Sequence, residues 1–163
     1  MPHVELRPLQ DDDVDALYDM VIHDPAAAAA LPDAPPEGAW ERSVFDASIA
    51  AERASDDIDL FAVTENGAFV GTAVAFTFEQ DREVGFWIAR PARGRGLATE
   101  ALRMLVSREP IRPLYARVDA GNVAAIAVLQ HIGFAEVSRE PAAPVARDCG
   151  ELLYALLPVL DGI

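Results

Sequence analysis

The sequence predicts a mixed α/β (α+β) fold, with a mostly antiparallel central sheet flanked by helices. Three observations carry this. Strand-like runs at 58–64 and 68–78 flank Glu65-Asn66-Gly67, and Asn-Gly is the dipeptide that suits a tight hairpin because both residues tolerate positive φ. An apolar strand at 83–89 leads through two glycines into a helical stripe, with Leu97, Ala101 and Leu105 at i, i+4, i+8 and Ala98, Leu102 and Val106 beside them. A further strand at 113–120 then requires one parallel crossover, which sets it apart from the hairpins before it.

The elements follow in order. Residues 3–9 (HVELRPL) alternate and run into a proline, which makes a short edge strand. Asp11-Asp12-Asp13 opens a helix, because acids favour the first turn, and Val14, Leu17, Tyr18, Val21 and Ile22 form its core face. Pro32, Pro35 and Pro36 interrupt the alanine-rich stretch 25–38, which reads as a loop or broken helix. A second helix over 39–55 carries Trp40, Val44, Phe45, Ile49 and Ala50. After the hairpin, residues 79–82 turn into the third strand, where Gly85 suggests a bulge or a place where something approaches the backbone. A helix over 122–132 ends at Gly133-Phe134, with glycine as its cap and Ile126, Leu129 and Ile132 inward. Strands at 134–139 and 151–157 close the order β-α-α-β-β-β-α-β-α-β-β. Neither a repeat nor a linker divides residues 1–163, so one domain is expected.

Composition narrows the function. A formal charge of −14 argues against nucleic-acid binding and favours cationic or small-molecule partners. All 13 basic residues are arginine, which excludes lysine Schiff-base chemistry and the lysine-bearing phosphate loop. The single cysteine, Cys149, cannot form an internal disulfide, and the three histidines lack metal-ligand spacing. The N-terminal residues lack the pattern of a signal peptide, and the apolar runs are too short to span a bilayer. A cytoplasmic location is therefore expected, with no metal and no membrane partner.

The densest stretch is 83–102, EVGFWIARPARGRGLATEAL. A helix N-terminus exposes unpaired N–H groups and partial positive charge, so it suits an anion. Arg93 and Arg95 at that end oppose the helix dipole unless an anion lies between them and the amides. The stretch reads as a diphosphate cradle.

Arg93-Gly94-Arg95-Gly96-Leu97-Ala98, Asn122 through Ala125-Ile126, and Ile132-Gly133-Phe134, in this element order, resemble the GNAT acyl-CoA-dependent N-acetyltransferases across essentially the whole chain. The stretch 85–102 is similar to the branch that acetylates N-terminal amines of ribosomal proteins and includes antibiotic-modifying relatives. The resemblance implies a GNAT-like fold, acetyl-CoA as co-substrate and a primary amine as acceptor. It also implies a diphosphate held by the backbone of Arg93, Gly94, Arg95, Gly96, Leu97, Ala98 and Thr99. Pantetheine would pair with the backbone of Phe86 and Ile88 like an added strand, through a gap beside Gly85. Asn122 would hydrogen-bond the pantetheine or phosphate end, or simply cap its helix.

Acetyl transfer needs a neutral amine, a polarised thioester and a proton for the leaving thiolate. A free α-amine of pKa about 7.8 is roughly one part in seven neutral at pH 7, and a lysine amine only about one part in 2,500. Glu83 and Glu79 are the candidate bases, acting directly or through water. The amide of Trp87 or of Ile88 is the candidate oxyanion donor. The family's tyrosine position is Leu129 here and the branch's serine position is Ala125, which leaves Tyr115, Ser138, Tyr154, Cys149 or water to protonate the thiolate.

Two other readings compete. Gly94, Gly96, Thr99 and Asp119 imitate a dinucleotide fingerprint, but four residues separate Ala89 from Gly94 and the preceding strands form hairpins. A non-catalytic acyl-CoA-binding or sensing domain fits Leu129 and Ala125. The acidic balance points to a cationic acceptor, and the chain is either monomer or homodimer.

Overall fold

The computed structural model describes residues 3–24, 41–137 and 151–158. Its elements are β1 (Val4–Pro8), α1 (Asp11–His23), α2 (Arg42–Ala54), β2 (Ile58–Glu65), β3 (Ala68–Phe78), β4 (Asp81–Ile88), a 3-10 turn (Arg90–Ala92), α3 (Leu97–Arg108), β5 (Leu114–Asp119), α4 (Val123–Ile132), β6 (Ala135–Glu136) and β7 (Glu151–Leu156). They form one sheet in the order β1-β2-β3-β4-β5-β7-β6, antiparallel throughout except for β4 beside β5. The expected order and the one parallel crossover are therefore present, and β7 inserts between β5 and β6.

Both β2–β3 and β3–β4 turn through two residues with positive φ. The first is Asn66-Gly67 (52° and 86°), as its residue types demand, and the second is Glu79-Gln80 (49° and 74°). The second turn is shorter than the expected 79–82 and starts β4 at Asp81, two residues earlier than expected. Two cores result. Val63, Ala73, Ala75, Val84, Ile88, Leu114 and Ala116 meet α3 and α4 on one face, whereas Leu60, Ala62, Val74 and Trp87 meet α1 and α2 on the other.

Several local expectations change. Ile22 and Val44 are exposed (48% and 53%), and α2 buries Phe45, Ile49 and Glu52. Trp40 and the alanine-proline stretch lie outside the described residues. Gly85 forms no bulge, because the β3–β4 register runs unbroken from Gly71↔Ile88 to Phe78↔Asp81. The register shift lies in β2–β3, where Val63 faces Gly71 and Thr64 faces Phe69, leaving Val70 extra. There the backbones approach so closely that a Cβ on Gly71 would lie 2.0 Å from the Trp87 carbonyl oxygen.

Candidate active site

The site starts where β4 and β5 separate. Their parallel pairing is limited to Arg82↔Leu114 and Glu83↔Tyr115, while β4 stays paired with β3 as far as Ile88 and β5 with β7 as far as Asp119. Beyond Glu83 the β5-facing edge of β4 has no strand partner among the described residues. The bond from the Ala89 amide to the Val70 carbonyl (2.8 Å) fixes which groups line that edge. In an antiparallel ladder, alternate residues direct both backbone groups at the partner strand. Odd-numbered residues of β4 therefore face β3, and even-numbered residues face the opening. Phe86 presents its N–H and C=O there and Ile88 its N–H, whereas the Trp87 amide is spent on β3.

The top of this opening meets the first turn of α3. Gly94 and Gly96 both adopt left-handed φ (84° and 78°), and Gly96 is the N-cap. Among the described residues, a Cβ built on either would meet no atom within 4 Å, so the space above both is open. The first intrahelical bond runs from the Glu100 amide to the Gly96 carbonyl (3.2 Å). The amides of Leu97, Ala98 and Thr99 thus precede the helix ladder. The arginines do not stand free beside them. Arg93 donates through Nε to the Ile88 carbonyl (2.8 Å) and through a terminal nitrogen to Asp24 (3.3 Å), and Arg95 pairs with Glu65 (2.9 Å). Their charges are offset by carboxylates, and Arg93 serves as a strut between the end of β4 and the end of α1. The Ile88 carbonyl is consequently taken, leaving its amide for a ligand.

At the base of the opening, Glu83 is buried on the α1/α2 face, its side chain 4% exposed. Arg117, two residues beyond Tyr115 on β5, donates through Nε to both carboxylate oxygens (3.1 and 3.3 Å). The same guanidinium lies 3.5 Å from Glu151 on β7 and 5.3 Å above the Phe78 ring. Sequence reasoning did not single out Arg117. The signal available was its alternation with Tyr115 on one face of a strand. Glu79 is at the exposed β3–β4 turn, and the structure does not bring it beside Glu83.

A family model described as "Acetyltransferase (GNAT) domain" matches residues 3–135. The chain belongs to the GNAT acetyltransferase family. No curated protein sequence matches it. Among solved structures, this GNAT domain is similar to the RimL ribosomal L7/L12 α-N-protein acetyltransferase in complex with coenzyme A (18% identity, 94% of this chain and 93% of that one, TM-score 0.73). It is similar to RimJ of Mycobacterium smegmatis in complex with a CoA disulfide (23%, 94% and 81%, TM-score 0.69). It is also similar to the spermidine N-acetyltransferase of Vibrio cholerae in complex with CoA and spermine (13%, 93% and 92%, TM-score 0.74). At these identities the likeness is one of fold.

In this GNAT domain Asn122 caps α4, its side-chain oxygen accepting from the Ala125 amide (3.2 Å), so one of its two polar atoms is committed. Leu129 is buried in the core and Ala125 packs partly against it, so neither position offers a hydroxyl. Of the tyrosines, Tyr154 is buried on the α3/α4 face, whereas Tyr115 is half-buried directly across the ladder from Glu83. Ser138 and Cys149 lie outside the described residues. Asp119 accepts from the Gly121 amide (2.7 Å) in the turn before α4, a local task that accounts for it without a ribose. Among the described residues no group of three or more His, Cys, Asp or Glu could hold a metal, and no helix is long and apolar enough to cross a membrane.

Proposed function

We propose that the whole chain works as one acetyl-CoA-dependent N-acetyltransferase that acts on a primary amine by direct attack in a ternary complex. The observation that carries this is the continuity of the open β4 edge, from Glu83 through Phe86 and Ile88, with the free first turn of α3. Amides at 94–99 hold the diphosphate, and the Phe86 backbone and the Ile88 N–H hold pantetheine as an added strand. Arg93 contributes by bracing this edge, Arg95 by flanking it, and Asn122 through its remaining amide nitrogen.

Acetyl-CoA supplies the activated thioester. The acceptor nitrogen forms a C–N bond to the acetyl carbon and the C–S bond breaks. The amine proton passes to Glu83, directly or through water, and the thiolate takes a proton from Tyr115 or from solvent. The Trp87 amide is spent on β3, which leaves the open-edge amides of Phe86 and Ile88 to serve pantetheine and the thioester carbonyl between them. Glu79, at the exposed turn, exchanges protons only through water. The acidic composition favours a cationic acceptor.

Calorimetric titration of acetyl-CoA into wild type and Gly96→Glu tests the cradle, and CoA release with an amine panel tests the transfer. Micromolar binding lost in the variant, with turnover of at least one amine that weakens as salt rises, is the expected outcome. Leu129 and Ala125 favour a second reading, an acyl-CoA-binding domain without catalysis. Tight binding with no turnover across the panel would select it.

A further inference from the structure

We infer that Arg117 is a specificity-determining residue that competes with the acceptor's ammonium group for Glu83, with Glu151 as its second seat. This rests on the reading above that the acceptor amine is received at Glu83. The Glu83 carboxylate is buried, and Arg117, whose side chain is 27% exposed, donates to both its oxygens. Arginine stays charged at any working pH, so it cannot take the amine proton and cannot vacate the site by losing its own. An incoming ammonium at Glu83 therefore meets a fixed like charge, which is unfavourable unless the guanidinium moves. The structure supplies somewhere to move. Glu151, on the neighbouring β7, already lies 3.5 Å from Arg117 Nη1. Phe78 lies beneath the guanidinium, its ring attracting the cation where it now sits. Arg117 also sits one alternation beyond the last β4–β5 pair, where Gly85 on β4 projects no side chain toward it. Discrimination follows. An acceptor must displace Arg117 or arrive neutral, so amines of low pKa gain over strongly basic ones by more than bulk ionisation provides.

The test is an NMR titration of the full chain with 15N-arginine, following the Arg117 Nε–H signal assigned through Arg117→Lys. Ethylammonium chloride is expected to move that signal saturably toward its position in Glu83→Gln, and sodium chloride at equal ionic strength is not. Steady-state kinetics on the fastest amine of the panel add a sign test. Arg117→Gln, which keeps a hydrogen-bond donor, is expected to lower the acceptor KM severalfold. Glu151→Gln is expected to raise it severalfold, and both are expected to leave the acetyl-CoA KM unchanged. Opposite signs are not the result of general loosening. An Arg117 signal that answers ethylammonium no differently from sodium overturns the competition, as does an acceptor KM that rises in both variants. Failure of the base reading is separate, and would show as undiminished turnover in Glu83→Gln.

Discussion

Arg82 and Glu83 are consecutive residues of one strand, and each belongs to an arginine–carboxylate pair on its own side of the sheet. On the α3/α4 face, Arg82 pairs through Nε with Glu109 at the end of α3. Its terminal nitrogens reach the Asp57 carbonyl, Thr77 Oγ1 (3.3 Å) and Asp59 (2.8 Å). Both partners of the Arg82–Glu109 pair are buried and the guanidinium is satisfied on all three nitrogens. On the α1/α2 face, Glu83 is equally buried, but its arginine is partly open to solvent and shared with a second carboxylate. The same chemistry is closed on one side and left adjustable on the other. The closed pair locks the floor from which the β4–β5 opening rises, and the adjustable pair lies at the base of that opening.

That contrast breaks if Arg82 proves dispensable. Arg82→Met strips a buried carboxylate of its partner and is expected to cost about 3–5 kcal/mol, read as a lower urea midpoint at unchanged m-value. Adding Glu109→Leu should return much of that loss, because an apolar pair of similar volume avoids the desolvation penalty. Glu83→Gln should invert the pattern. It is expected to lower kcat/KM for the acceptor by roughly 10²–10³-fold, as loss of a general base does, with little change in the acetyl-CoA KM. A variant that unfolds without losing specific activity would mean that the two pairs do the same work.

How much of this was legible in the sequence follows from the same strand. Alternation, the Asn66-Gly67 turn and the helical stripe from Leu97 depend on near neighbours, and they placed the described strands and α-helices in order. The two left-handed glycines before α3 were legible for that reason too. Interactions between distant residues were not. Nothing local to Arg82 marks Glu109, 27 residues on, and nothing local to Glu83 marks Arg117, 34 residues on. Gly85 and Gly71 show the same limit. Both are glycines inside strands, but only the register with β2 reveals that the shift belongs beside Gly71. Arg93 and Arg95 looked like free cations because Asp24 and Glu65 approach them only in the folded chain.

A third pair sharpens the comparison with a smaller effect. Burial pushes the Asp13 carboxyl up, but the hydrogen bond from Arg7, the Gln10 amide (2.8 Å) and the charges of Arg7 and Arg53 outweigh it, holding the group below its ordinary value of 3.8. A lowered folded value contributes stability that is fully present above the unfolded value and is lost as pH falls through the folded one. Asp13→Asn should therefore be less stable than wild type at pH 6, by about 1 kcal/mol for the weakened helix start. The gap should close below pH 3.8. Parallel acid-denaturation curves for the two proteins would show that the pair contributes nothing.

The smallest effect bears on what sets the contrast in the first place. A strand alternates faces, so slipping β4 by one residue would send Arg82 to the α1/α2 side and Glu83 into the other core. The two-residue turn at Glu79-Gln80 fixes that register with left-handed residues that carry side chains, at 49° and 74°, where the preceding hairpin uses Asn66-Gly67. Left-handed geometry costs a residue with a Cβ about 1–2 kcal/mol, part of which glycine returns as lost chain entropy. Gln80→Gly is thus expected to stabilise the chain by about 0.5–1 kcal/mol, visible as a higher urea midpoint, with the Arg82–Glu109 and Glu83–Arg117 pairs intact. If stability rises and turnover does not change, the strained turn serves register alone. A rise in stability with a fall in turnover would mean that the turn's strain also holds the carboxylate end of β4 in its working position.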